Sequence, residues 1–316
     1  MSNQERRTEL PGLSAASPDG FMAAVGLLRV LAEDLDLDVR LSWDGVAVLH
    51  GIGREELLDA LAEHMRERYE APEWNWSPVT RKITPEAHAK ALDEHGHDAR
   101  FVRFLAGMVT PTVHTKEGTL ANTRLDMTSG SQKLLLNLQS LAREMSSAGK
   151  KTKKAKRSTE PLARSYFTEG LFENRYRRGE PSFGWDPNTV QDHAYSPRAP
   201  SQMKPTSRPG VVWLVAEALA LHPILPVRGR AVTTGTARVE GQTVYYWPTW
   251  EEPADIHWVR AVRRVPLARV GNVSGVGAVW RSAFGKSGKY GLLRPAVPHV
   301  TEADTEGGLG PMAVVV

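Results

Sequence analysis

The sequence predicts an α+β fold: a helix-rich N-terminal part with a small β-hairpin, followed by a mixed part whose antiparallel strands come late in the chain. Three observations carry this expectation. Apolar residues recur at helical spacing through the first half, Asp44-Gly45 separates two short β-type runs, and β-branched and aromatic runs dominate after residue 230. With 316 residues and no cysteine, the chain can bury a sizeable core but cannot form a disulfide, use a thiolate nucleophile or hold a zinc ion or cluster through cysteine. Its polar start, MSNQERRTELPG, has no apolar signal core, and the most apolar run, Val211 to Leu221, is shorter than the roughly 20 residues of a membrane helix. A soluble cytoplasmic protein with no membrane partner is expected.

The first element is SPDGFMAAVGLLRVLAEDLD, where Ser17 suits an N-cap, Pro18 the first helical position and Asp19 the positive helix end. Phe21, Val25, Leu28 and Leu31 share one face, while Ala23, Ala24 and Gly26 allow close approach of another element, so this helix is expected at the centre. VRLSW and VAVLHG flank Asp44-Gly45 as a hairpin with a two-residue turn. GREELLDALAEHMRERY is amphipathic, with Leu57, Leu58, Leu61 and Met65 inward. Trp74 and Trp76 then anchor a Pro-containing loop, Thr84 caps a helix opened by Pro85, and DARFVRFLAGMV supplies another helix. TLANTRLDMTS is strand-like, and Gly130 to Ser146 reads as a helix with Leu134, Leu135, Leu138 and Leu141 inward and Lys133 at its start.

The stretch GKKTKKAKRSTEP carries six Lys/Arg and no apolar residue larger than Ala. It divides the chain into a helix-rich region 1–148, a basic linker or loop 149–160 and a mixed α/β region 161–316, unless the last is one continuous domain with 1–148. A helix from about Glu160 to Phe172 follows, then the buried helix VVWLVAEALALH opened by Pro209-Gly210 and stopped by Pro223. RAVTTGTARV, GQTVYYWPTW, GAVWRSAF and KYGLLRPAV read as strands, with ADIHWVRAVRRV a helix or strand between them.

Charge is unevenly spread. Residues 1–100 hold 11 Lys/Arg against 19 Asp/Glu, and residues 101–300 hold 29 against 14. A basic later part points to a polyanion, in a cell most commonly nucleic acid. Candidate phosphate contacts are Lys150, Lys151, Lys153, Lys154, Lys156 and Arg157, joined by Lys133 and by Arg175, Arg177 and Arg178 around Tyr176. Lys204, Arg208, Arg260, Arg263 and Arg264 reinforce them.

Several motifs fail. Gly285-Lys286-Ser287 has Trp280 where a phosphate loop needs its first glycine, and it lies between strand-like segments, so it reads as a hairpin turn. His88, His95 and His97 lack metal-ligand spacing and read as solvated helix-end residues. No cofactor, metal or catalytic residue is assigned. FGWDPNTVQDHAYSPRAPSQ holds Trp185, Asp186, Asp192 and His193 among prolines. Asp186-Pro187 has the chemistry of a capped helical turn and Trp185 that of a buried anchor, so the stretch reads as a preorganised docking loop. The alternative is a metal-dependent nuclease built on Asp186, Asp192 and His193. A protein-only scaffold, whose acidic first third grips a basic partner, is a further reading.

LPGLSAASPDGFMAAVGLLRVLAED, LDMTSGSQKLLLNL and the Trp-Asp-Pro segment with the apolar helix after it resemble a family of CRISPR-associated proteins of type I systems, subtype G (formerly U). Members are described as extensions of the helicase-nuclease or as similar to the large subunit of the surveillance complex. The Gly-rich VGNVSGVGAVWRSAFGKSGKYG is similar to the glycine-rich loop of RNA-binding subunits in these systems. The resemblance implies a non-catalytic subunit or adaptor of an RNA-guided antiviral complex. Its implied partners are DNA or guide RNA and other effector subunits or the helicase-nuclease. This chain is short for a full large subunit.

Overall fold

The computed structural model describes residues 6–77, 82–128, 133–146, 162–179, 182–189, 206–287 and 290–299. Strand β1 (Arg7–Ser14) leads into helix α1 (Pro18–Arg29), which opens at Pro18 after an extended Ser17 and continues as a π-helical turn, Val30–Asp34. Strands β2 (Arg40–Asp44) and β3 (Val46–His50) pair antiparallel, and β1 adds to the other edge of β3 to give the order β1-β3-β2. The reversal between β2 and β3 is tighter than the two-residue turn read from the sequence: Asp44 lies opposite Val46, so Gly45 alone turns the chain, at φ 66°. That left-handed conformation suits glycine.

Helices α2 (Arg54–Arg68), α3 (Pro72–Asn75), α4 (Pro85–His95) and α5 (Ala99–Met108) follow, then the ribbon β4 (Val109–His114) and β5 (Leu120–Asn122). Thr84 accepts a hydrogen bond from the Ala87 amide as the cap of α4. Pro72 winds the Trp74 segment into a helical turn where the sequence suggested loop. Among the described residues of TLANTRLDMTS, only Leu120–Asn122 form a strand. Helix α6 (Leu134–Ser146) buries Leu134, Leu135, Leu138 and Leu141 as expected, and α7 (Leu162–Phe167) runs into a second π turn, Thr168–Phe172. Strands β6 (Arg177–Arg178) and β7 (Thr206–Ser207) form a short ribbon before α8 (Pro209–Ala218), which ends in a 3₁₀ turn over Leu219–Leu221.

Every residue of α1 and of α8 is buried, so both helices lie inside the molecule and pack on each other. A Cβ at Gly26 would stand 2.0 Å from the Leu214 carbonyl oxygen and 2.9 Å from the Ala218 amide nitrogen, so glycine sets this approach. The same holds where α5 meets the end of α8, since a Cβ at Gly107 would stand 2.0 Å from the Leu219 oxygen.

After α8 come the ribbon β8 (Ile224–Val227) and β9 (Arg230–Thr233), then β10 (Thr236–Val239), β11 (Gln242–Thr249), helices α9 (Ile256–Arg263) and α10 (Leu267–Val270), and β12 (Ala278–Ser287), β13 (Tyr290–Leu293) and β14 (Val297–Pro298). They build a sheet ordered β10-β11-β12-β13, with β14 on β12. Gly285-Lys286-Ser287 lies within β12 rather than at the turn, because Ser287 already pairs with Tyr290. The strand-or-helix ambiguity at 254–265 resolves as α9, capped by Asp255 on the Trp258 amide.

Elements from both ends of the chain share one core. The free edge of β2 bonds the chain after β11: the Trp43 amide donates to the Trp250 carbonyl at 2.8 Å, and Leu41 and Ala254 exchange two bonds at 2.9 Å. Phe21 stacks on Trp43 and Trp247 at centroid separations of 5.8 and 6.0 Å, with Trp250 edge-on to both Phe21 and Trp43. Such packing adds about 0.5–1.5 kcal/mol per pair beyond area burial. No helix among the described residues is long and apolar enough to cross a membrane.

A buried ionic network crosses this core. Glu217 on α8 accepts from Arg29 at 2.5 Å and from Arg68 at 2.9 and 3.2 Å; Arg29 also holds Asp34 through two bonds of 2.9 Å. Arg68 continues to Glu73 at 3.0 Å, and His64 closes on Asp34 at 3.0 Å. Burial disfavours these charges singly, whereas the two guanidinium groups hold the Glu217 carboxyl below its ordinary range. Nearby, His222 is fully enclosed. Its Nδ1 bonds the Ala218 carbonyl at 2.8 Å, and its Nε2 faces the Tyr245 hydroxyl at 2.9 Å and Arg263 at 3.0 Å. Burial, and then the Arg263 charge, push it down to about 3, so the ring is neutral and serves as an acceptor.

Candidate nucleic-acid interface

The π turn after α7 aims Glu169 at the strand that follows. Asn174, at φ 50°, and Gly179, at φ 89°, bend the chain on either side of β6. Arg177 reaches back and donates to both oxygens of Glu169, at 2.5 and 2.6 Å, and its guanidinium stacks 4.4 Å from the Tyr166 ring centroid. This bidentate contact is the largest cause holding the Glu169 carboxyl below its usual range. Arg175 is 3.9 Å from Glu169, with a side chain 68% exposed, and Arg178, which follows Arg177 in β6, is exposed. Glu169, Arg175, Tyr176, Arg177 and Arg178 enclose an open cup of about 380 Å³. Three guanidinium groups against one carboxylate leave the cup cationic, with Arg177 fixed as its wall and Arg175 and Arg178 at the rim.

Tyr176 connects the cup to the Trp-Asp-Pro segment. Its hydroxyl donates to Asp186 Oδ2 at 2.7 Å, while Asp186 Oδ1 accepts the Asn188 amide at 2.8 Å and caps the 3₁₀ turn Pro187–Thr189. Arg208 lies behind, ion-paired to Asp19, bonded to Asn174 Oδ1 at 2.7 Å and 3.6 Å from Asp186 Oδ2. Trp185 is buried and donates from Nε1 to the Leu125 carbonyl at 2.8 Å. The Gly184 carbonyl accepts from the Leu293 amide at 2.8 Å, which fastens the segment to β13. Residues 182–189 are therefore docked on the chain's own core, against β13 and the start of α8.

Asp186 is pushed up to about 6 from an ordinary 3.8, first by burial and then by the neighbouring Asp19 charge. A raised folded-state value means that the native chain holds this proton more tightly than the unfolded chain does. The resulting stability is complete below about pH 4 and is lost as pH rises through 6, a difference of about 3 kcal/mol. Asp186→Asn keeps an acceptor and a cap without the titration. Its stability relative to the native sequence should therefore rise by about 3 kcal/mol between pH 4 and pH 8, read from urea midpoints. A pH-independent difference would contradict this account of the carboxyl.

The structure gathers Arg175, Arg177 and Arg178 and leaves Lys133 apart, exposed before α6. Lys150, Lys151, Lys153, Lys154, Lys156 and Arg157, together with Lys204, Asp192 and His193, lie outside the described residues. Three reinforcing cations are corrected. Arg208 is buried on Asp19, and Arg263 is enclosed by His222, Tyr245 and the Tyr246 carbonyl. Arg260 pairs with Glu33 at 2.5 Å. None of the three presents a free surface charge. His88 is buried rather than solvated, and burial pulls its titration downward; His95 packs edge-on to Phe101 at 5.0 Å. Among the described residues no group of three or more His, Cys, Asp or Glu is arranged to hold a metal ion. Sequence reasoning missed Glu169, which organises the cup; an acidic residue eight positions before Arg177 carries no local signal until the π turn and β6 fold it back.

No protein-family model matches the chain, and no curated protein is significantly similar to it in sequence.

Proposed function

We propose that the chain is a nucleic-acid-binding, non-catalytic subunit or adaptor of a type I CRISPR RNA-guided defence complex, working in the cytoplasm beside other effector subunits or the helicase-nuclease. The open arginine cup at Arg175, Arg177 and Arg178 carries this reading. Planar guanidinium groups at its rim match phosphate oxygens, and the clamp of Glu169 on Arg177 fixes the wall before a ligand arrives. Two features of the sequence support it: the run Lys150 to Arg157, and the resemblance of the three quoted patches to subtype G proteins.

The test is a fluorescence-anisotropy titration with labelled duplex DNA, single-stranded DNA and RNA. Arg175→Glu with Arg178→Glu, both exposed and outside the core, should weaken binding by about tenfold or more while leaving the urea midpoint in place. Unchanged affinity removes the cup from the interface. Shortening of the probe in Mg²⁺ favours the nuclease, and silence with every probe favours a protein-only scaffold.

A further inference from the structure

The β8–β9 ribbon carries its apolar side chains outward. Leu225 lies opposite Val232 and Val227 opposite Arg230, whereas Ile224 faces Thr233 on the other side. Ile224 and Thr233 are buried, so they mark the inner face, and the outer face presents Leu225 at 44% exposure, Val227 at 46%, Val232 and Arg230. Beyond the Ile224–Thr233 pair the ribbon projects from the core, since Pro226 on the opposite face is exposed as well. Arg228-Gly229 forms the two-residue tip with φ of 48° and 73°, both positive as a type I′ turn requires, so the ribbon is closed by a tight turn. Between Glu217 and Glu240 the sequence has no acidic residue, but it has Arg228, Arg230 and Arg238.

We infer that this ribbon is a second nucleic-acid contact that enters a groove of duplex DNA, an inference that rests on the nucleic-acid reading above. A two-stranded β-ribbon fits the major groove, where aliphatic side chains meet thymine methyl groups and arginines meet phosphates or guanine edges. Charge complementarity favours a polyanion, because the tip offers two guanidinium groups and the ribbon no carboxylate. Single strands are bound chiefly by aromatic stacking, and residues 222–239 include no Phe, Tyr or Trp. Strand addition by a protein partner is disfavoured at the β8 edge, where Pro226 removes an amide. The ribbon thus supplies duplex selectivity, while the arginine cup supplies general phosphate affinity.

The experiment compares the full-length chain with two ribbon variants on labelled duplex DNA and on one of its strands. Arg228→Asn with Arg230→Gln is compatible with the left-handed tip, since Asn tolerates positive φ. It should lower duplex affinity by about tenfold or more and flatten the log–log salt dependence by about two units. Single-strand affinity should change by less than about twofold. Leu225→Thr with Val227→Thr should weaken duplex binding with the salt slope unchanged, because it removes no charge. Wild-type binding with both variants indistinguishable from it overturns the ribbon assignment alone, as does equal loss on duplex and single strand. No wild-type binding to any probe overturns both this inference and the reading on which it rests. A shift from dimer to monomer in the threonine variant, with DNA binding intact, assigns the face to a second copy and also overturns it.

Discussion

Glu217→Ala should cost about 3–5 kcal/mol of folding stability, the loss expected when one partner of a buried ion pair is removed. Arg29 and Arg68 are 1% and 2% exposed, and both lean on this carboxylate. Without it, Asp34 and Glu73 must balance two enclosed guanidinium groups from their far sides. The loss is a large share of the about 5–15 kcal/mol that a domain has in hand. Glu217→Gln keeps the volume and one acceptor, so it should lose less than alanine does. Urea unfolding of the three proteins checks the order; an alanine loss below about 1 kcal/mol would mean that water reaches the network.

Gly26→Val should be comparably damaging for a different reason. The added Cβ meets backbone at 2.0 Å, not a side chain that can rotate away, so α1 and α8 must separate along their crossing. Even Gly26→Ala should lose more than about 2 kcal/mol, against the roughly 1 kcal/mol that alanine gains over glycine as a helix former. A stabilised alanine variant would show that the two helices are less closely packed than described.

Helices were the most legible part of the sequence, because periodicity and caps are local. Ser17-Pro18, Thr84-Pro85 and Pro209-Gly210 each open a helix where they stand. Of the five strands left unread, β6 and β7 are only two residues each, and the three longer ones share one trait: β1 contains Pro11, β4 Pro111 and β8 Pro226. Proline weakens the strand signal because it removes a ladder donor, and β1 is an edge strand whose register slips between Leu10 and Ser14. Charge was legible as a count but not as placement. Arg29 and Glu217 lie 188 positions apart, and Arg208 and Arg263 looked like surface cations until the fold enclosed them. The cup was half legible: the Arg175 to Arg178 cluster stands out in the sequence, whereas its counter-charge at Glu169 and its tie through Tyr176 to Asp186 are made by tertiary structure.

The central claim is that the arginine cup binds nucleic-acid phosphates, and the salt dependence of binding tests it most directly. Affinity for duplex DNA should fall steeply as salt rises, with each neutralised phosphate adding about 0.9 to the log–log slope. The Arg175→Glu, Arg178→Glu variant should lose about two units of that slope together with its affinity. A wild-type slope that the variant reproduces, or no measurable binding at physiological salt, would contradict the account.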